Sequence, residues 1–302
     1  MRYFKKLWNN NWALSISMGL LLGLSWPPLP FPFLVFPAFI LLFRIVDLSS
    51  SAKEAAYHAY PGFVIWNIIT TYWLAMATVA GGIAAILANA VVMTVPVMLQ
   101  YHVQKHFKRW GPVALVQSAL WVSYEYLHHQ WDLAWPWLTL GNAWSNVPEL
   151  VQYISVTGYW GISFWIVLAS ALAYQAYKKK DRLVTYAAIG TAIIMPALSL
   201  IQLNFVETES NRHSEIVVAQ PNFDSYQSFG GFDSAQDALD ILITISDSLK
   251  TEQTDLLAWP ENGIHPALHS KSVRRNADLT KNRLKASGFF LERNYPWRGY
   301  LF

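Results

Sequence analysis

The chain has 302 residues, of which 54% are hydrophobic and 14% charged, with a formal net charge of +3. Soluble globular domains carry about 25% charged residues, so much of this chain is built for a lipid solvent, and the small net charge, with no basic stretch interleaved with aromatics, excludes a nucleic-acid binder. The absence of cysteine excludes disulfides, thiolate metal sites and a Cys nucleophile within these residues, while the 15 Trp and 15 Tyr suit a protein with rings at the lipid–water interface.

Arg2, Lys5 and Lys6 precede an apolar run over 13–24, a pattern shared with signal peptides. No small-x-small cleavage site follows, only Trp26-Pro27-Pro28, so a retained helix is expected. Seven apolar segments follow one another at 12–26, 31–46, 57–79, 83–103, 112–128, 160–177 and 183–203. A spanning helix needs about 20 residues. The first two are shorter and are separated by the Pro-rich stretch 26–32, which breaks the helix. A re-entrant pair is the alternative there. Spanning is the expectation, because a bilayer thins around short spans.

Lys and Arg set the orientation. With the N-terminus in the cytoplasm, the inside segments hold Arg2, Lys5, Lys6, Arg44, Lys53, Lys105, Lys108, Arg109, Lys178, Lys179, Lys180 and Arg182. The outside connections, 27–30, 80–82 and 129–159, hold none. Seven spans from an inside start place everything after residue 204 outside. The expected organisation is a membrane domain over 1–204, a linker over 205–213 and an extracytoplasmic domain over 214–302.

In that last part, 215–220 reads as a short strand ended by Pro221-Asn222. Asp233 or Ser234 can cap a helix running to about Lys250, with Ala238, Ile241, Leu242, Ile245 and Leu249 at helical spacing. A second strand, 255–259, stops at Pro260. Strand, helix, strand with this crossover predicts a parallel α/β sheet. A weaker, positively charged helix is expected over 273–286.

Glu261 is the first candidate for chemistry. It lies just past the carboxyl end of a predicted parallel strand, where open α/β sheets place reactive groups. Trp259 and Pro260 beside it would desolvate the carboxylate toward the range of a general base; the competing reading is a solvated helix cap. Glu125 lies inside the fifth apolar segment, at a depth where a carboxylate is costly. Packing glue, hydrogen-bonded to Trp or Tyr neighbours, is its preferred reading over a functional one. His128 and His129 read as interface anchors. The spacing of Glu261, His265 and His269 invites a metal, but no HExxH is present and Pro266 interrupts the frame, so no metal or other cofactor is expected. Gly230-Gly231 reads as a turn rather than a phosphate loop. Neither GxSxG nor GxxxxGK[ST] occurs.

Four stretches together resemble bacterial apolipoprotein N-acyltransferases: Thr71-Tyr72-Trp73-Leu74; residues 121–141, with Glu125-Tyr126-Leu127 and Trp135-Pro136-Trp137-Leu138-Thr139-Leu140-Gly141; Val217-Val218-Ala219-Gln220-Pro221-Asn222; and Leu257-Ala258-Trp259-Pro260-Glu261-Asn262. The resemblance covers residues 1 to about 270. It implies an α-helical multi-pass membrane bundle followed by part of a nitrilase-like αββα sandwich, in the cell inner membrane with the second domain periplasmic. It also implies a Glu-Lys-Cys triad. The Cys takes an acyl chain from a phospholipid, and the α-amine of a lipidated N-terminal Cys on an apolipoprotein then attacks the thioester. By the resemblance Glu261 is the general base, Phe229 lines the acyl site, and Glu125 and Trp137 lie on the substrate side. His128 stands where many members have Arg.

The family's Lys and Cys lie beyond the matched region, and residues 287–302 do not look like its next strand. The expectation is therefore a shortened family member, inactive as written, whose partial sheet is marginal for want of neighbouring strands. A non-enzymatic membrane protein that binds lipid or a partner is the alternative. A transporter ranks last, because paired polar groups in broken midplane helices are missing.

Overall fold

The computed structural model describes residues 7–205, 214–224 and 227–260. The chain divides into two compact units, at residues 1–207 and 208–302. Glu261, His265, His269 and the expected helix over 273–286 lie outside the described residues.

The first unit is helical. Its elements are α1 (Asn11–Leu24), α2 (Val35–Leu48), α3 (Ala52–Thr71), the one-turn α4 (Leu74–Ala77), α5 (Val79–Val92), α6 (Thr94–His106), α7 (Trp110–His128), the one-turn α8 (Ile154–Thr157), α9 (Tyr159–Lys179) and α10 (Arg182–Phe205). Every expected apolar segment is helical. The third is broken at Tyr72-Trp73 and the fourth at Met93, where the runs on either side are assigned as separate helices. Two runs, Val79–His106 and Arg182–Phe205, are long and apolar enough to cross a membrane.

Helix ends follow capping chemistry. Asn10 Oδ1 accepts from the N–H groups of Trp12 and Ala13 at the start of α1. Ser51 caps α3, its Oγ accepting from Glu54 N at 3.1 Å, and Glu54 Oε2 reaches back one residue past the cap to accept from Ser50 N at 2.7 Å. That backbone donor holds the Glu54 carboxyl below its usual range.

The packing is aromatic and close. Phe39, Phe43, Phe63, Trp66, Trp121, Trp144 and Tyr174 are fully buried, and Phe39 meets Trp121 edge-on at 4.7 Å. Helices α1 and α3 touch through glycine: a Cβ on Gly19 would stand 2.3 Å from the Gly62 carbonyl. At that crossing Ser15 Oγ accepts from Gly62 N at 2.9 Å. Small residues and a buried hydroxyl are how helices associate where lipid removes the hydrophobic drive between them.

Polarity is distributed inside out. Asn67, Asn89, Gln100, Gln117, Glu125 and Ser163 are buried, while Leu183, Tyr186, Ile189, Ile193, Ile194, Leu198 and Ile201 on α10 are exposed. Exposing such a continuous apolar face to water is unfavourable; facing acyl chains it carries no penalty. The first unit is built as a membrane protein.

The second unit contains β1 (Glu215–Val218), α11 (Ala235–Leu249) and β2 (Thr254–Ala258). The strands pair in parallel, with Ile216 opposite Leu256 and Val218 opposite Ala258, and Ala219 N donates to Ala258 O at 3.0 Å. Ser234 is the N-cap of α11, its Oγ accepting from Asp237 N. The buried face of α11 is Ala238, Leu239, Leu242 and Ser246, whereas Ile241 and Leu249, which share the helical spacing of Ala238 and Leu242, are exposed. The helix is rotated so that Leu239 replaces Ile241 and so that Ser246 meets Trp259, whose Nε1 donates to Ser246 Oγ at 2.9 Å. Ile216, Val218 and Leu256 are exposed on the pair.

Candidate functional site

The polar centre of the first unit gathers at the C-terminal end of α7. Glu125 is 4% exposed. Its Oε1 accepts from Trp121 Nε1 at 3.0 Å, one turn back, and from the backbone N–H of Leu140 at 2.9 Å. Its Oε2 is buried with no hydrogen-bond partner, and so is the Ser163 hydroxyl of α9. One carboxyl oxygen thus ties α7 to the loop after it.

His128 is 8% exposed, so it is not an interface anchor but part of the interior. Its Nδ1 accepts from Trp131 Nε1 at 2.8 Å, which fixes the proton on Nε2; that N–H donates to Asn89 Oδ1 at 2.8 Å. Asn89 Nδ2 in turn donates to Asn67 Oδ1 at 2.7 Å, and Asn67 Nδ2 to Phe63 O at 2.8 Å. One chain of bonds therefore runs from the loop through α7 and α5 to α3. A sequence reading had no access to it, since Asn67 and Asn89 are ordinary polar residues until the helices bring them together.

His129, just beyond α7, works the same way. Thr139 Oγ1 donates to Pro136 O at 3.0 Å, so it accepts from His129 Nε2–H at 2.9 Å, and His129 Nδ1 faces the Tyr159 hydroxyl at 3.5 Å. Partial burial holds this imidazole below its usual range, in keeping with a neutral ring. Asn89, Glu125, His128, His129 and Thr139 line a small cavity of about 10 Å³, room for about one water.

These bonds hold the loop that carries Trp137. A 3-10 turn over Pro136–Leu138 buries Leu138 and leaves the Trp137 indole 43% exposed. The Trp137 carbonyl accepts from Trp26 Nε1 at 3.0 Å and from Asn142 Nδ2 at 3.1 Å. Its ring meets Trp73 edge-on at 5.2 Å and Trp135 at 5.3 Å. The result is a pair of exposed rings, Trp73 and Trp137, on a hydrogen-bonded loop, with Trp135 half-buried beside them.

In the second unit, Phe229 is half-buried in a turn that follows β1. It adopts a left-handed φ of 54°, with Gly230 at 71° and Gly231 at 93°, as the turn reading of the Gly pair requires. A Cβ on Gly230 would stand 2.8 Å from Phe223 Cβ, so this position needs glycine for both its φ and its space. Trp259, docked on α11, fixes the exit of β2 one residue before Pro260. The two units each bring residues of interest to strand or helix ends; Glu261 lies just past the described ones. No cluster of metal-ligating side chains occurs among the described residues.

A helical bundle with an apolar exterior, joined in sequence to a βαβ unit, defines a membrane protein with an appended α/β segment. Residues 18–172 match the family model described as the apolipoprotein N-acyltransferase N-terminal domain. The chain belongs to that family. It is 25% identical over 268 residues to apolipoprotein N-acyltransferase of Chlorobaculum tepidum, covering 86% of this chain and 50% of the relative. Apolipoprotein N-acyltransferase 1 of Treponema denticola is 25% identical over 279 residues, 85% of this chain and 49% of the relative. The enzyme of Rickettsia prowazekii is 25% identical over 261 residues, 82% and 51%. The chain spans about half the length of these curated relatives.

Proposed function

We propose that this chain supplies the membrane-embedded half and the first nitrilase-like strands of an apolipoprotein N-acyltransferase. The observation that carries this reading is the family match over residues 18–172, continued by the strand–helix–strand order of residues 215–258. The reaction is phospholipid-dependent N-acylation of the N-terminal diacylglyceryl-cysteine of apolipoproteins. A thiolate attacks the phospholipid ester and releases a lysophospholipid; the apolipoprotein amine then attacks the thioester and frees the thiol. Glu261 is assigned as general base, taking the proton first of the thiol and then of the amine.

The nitrilase-like assignment of residues 214–302, the seven spans, the cytoplasmic N-terminus and the inner-membrane setting with a periplasmic second domain belong to this proposal. The twelve cations confined to alternate connections support the orientation. By the family resemblance Trp137 is assigned to the substrate side and Phe229 to the acyl site; the exposed Trp137 ring and the position of Phe229 after the carboxyl end of β1 support this reading. Glu125 acts one step back, positioning the Trp137 loop.

The 302 residues contain no cysteine, so the nucleophile is not among them, and by itself this polypeptide should not transfer acyl groups. Complementation tests both statements. The chain is expressed in cells depleted of their own apolipoprotein N-acyltransferase, and a reporter lipoprotein is examined by mass spectrometry for a third acyl chain. No transfer, with the protein present in the membrane, is expected. Transfer that disappears on Glu261→Ala would overturn the inactivity and retain Glu261. The alternative, a non-enzymatic membrane protein that binds lipid or a partner, predicts no transfer even when a thiol-bearing segment of a relative is fused after residue 302.

A further inference from the structure

We infer that the first unit carries an anionic-phospholipid headgroup site, formed where the α6–α7 turn meets the α9–α10 turn. The inference rests on the membrane reading of this unit and is separate from the acyl-transfer proposal. Lys105 at the end of α6 and Lys108 and Arg109 just after it flank the first turn, and Lys178 and Lys179 at the end of α9, Lys180, and Arg182 at the start of α10 flank the second; all seven are exposed. The fold joins the turns directly: Lys179 Nζ donates to Lys108 O at 3.3 Å, across 71 positions of sequence. Lys108 Nζ in turn donates to Lys105 O at 3.4 Å.

Two acids adjoin the cluster, and each has a partner. Asp47 pairs with Lys178 at 2.5 Å and with Arg44 at 3.7 Å. Asp181 Oδ1 accepts from Leu183 N at 2.8 Å, capping α10. Among the described residues, Lys105, Lys108, Arg109, Lys179, Lys180 and Arg182 have no carboxylate within salt-bridge distance. Six like charges gathered on two touching turns repel one another, and an anion bound between them relieves that repulsion. The surface beside the charges selects the kind of anion. Phe107, Leu183 and Tyr186 are exposed next to them, at 43%, 64% and 68%, and they continue into the apolar face of α10. A phosphate on the cations with acyl chains along that face satisfies both chemistries at once; free phosphate satisfies one. Basic residues at the ends of membrane helices attract anionic headgroups in this way.

The test uses the full chain in nanodiscs, first of phosphatidylcholine alone and then with phosphatidylglycerol added, with retained lipid counted by native mass spectrometry after detergent extraction. Preferential retention of phosphatidylglycerol is expected. Lys108→Gln combined with Lys179→Gln and Lys180→Gln should reduce that preference by about tenfold or more without changing phosphatidylcholine retention. The matching triple Lys→Arg variant should keep the preference, which separates loss of charge from loss of fold. Equal retention of the two lipids, a preference unchanged in the Gln variant, or full competition by inorganic phosphate at equal concentration would overturn the site. Failure of the chain to enter bilayers of either composition would overturn the membrane reading beneath it.

Discussion

The carboxylate of Glu125 accepts the backbone N–H of Leu140 at 2.9 Å, tying the end of α7 to the loop fifteen residues later that presents Trp137. Truncating the acid leaves Leu140 N and Trp121 Nε1 without an acceptor in a buried site. Each such loss costs about 1–3 kcal/mol, so Glu125→Ala should destabilise the unit by roughly 2–5 kcal/mol on the same scale. Glu125→Gln, which keeps an accepting oxygen, should cost much less. Thermal unfolding in detergent, together with protease cleavage in residues 131–139, checks both.

The bonds linking Asn67, Asn89 and His128 predict non-additive losses. Polar contacts between membrane helices average about 0.6 kcal/mol and reach about 1.7 kcal/mol. Asn67→Ala and Asn89→Ala should each fall in that range, and the double variant should cost less than their sum, because Asn89 Nδ2 and Oδ1 serve both ends of one chain. Full additivity in a double-mutant cycle would show the contacts to be independent.

His129 carries a pH dependence whose sign follows from its neutral ring. Its folded pKa is depressed by burial, so below its unfolded value of about 6.5 the unfolded chain binds more protons than the folded one. Stability of the loop should therefore fall as pH drops below about 6.5, and should level off once the folded ring has titrated. His129→Asn should flatten that slope. Histidine ring chemical shifts measured between pH 5 and 8 locate the titration.

Glu215 runs on the carboxylate side. Its Oε1 accepts from Thr251 Oγ1 at 2.6 Å and from Thr254 Oγ1 at 2.5 Å, and these donors hold its pKa low. The contribution is present above the unfolded pKa of about 4.3 and is lost as pH falls through the lower folded value. The protection of the 215–218 amides, corrected for the intrinsic pH dependence of exchange, should fall on acidification in the full chain, and Glu215→Gln should remove most of that change.

Trp259→Phe keeps an aromatic ring, though a smaller one, and deletes the donor to Ser246 Oγ. The expected loss is about 1 kcal/mol, read as faster amide exchange along β2 with α11 intact.

The amino-acid sequence by itself determined the apolar helices, the alternation of their charged connections, the βαβ order and the family. Each of these depends on local periodicity, capping or turn chemistry: Ser234 caps α11, and Pro221 and Pro260 end runs that read as strands. The same local rules did not settle the inward face of α11, where Leu239 rather than Ile241 is buried, because helix rotation is set by what the helix packs against. They placed His128 at an interface, whereas Asn89 draws it inside. Only the tertiary structure decided which polar residues meet. Glu125 finds Leu140, His128 finds Asn89 and Lys179 finds Lys108 across 15, 39 and 71 positions of sequence, and a hydrogen bond needs its partners within about 3 Å, a condition that only the packing of whole helices imposes.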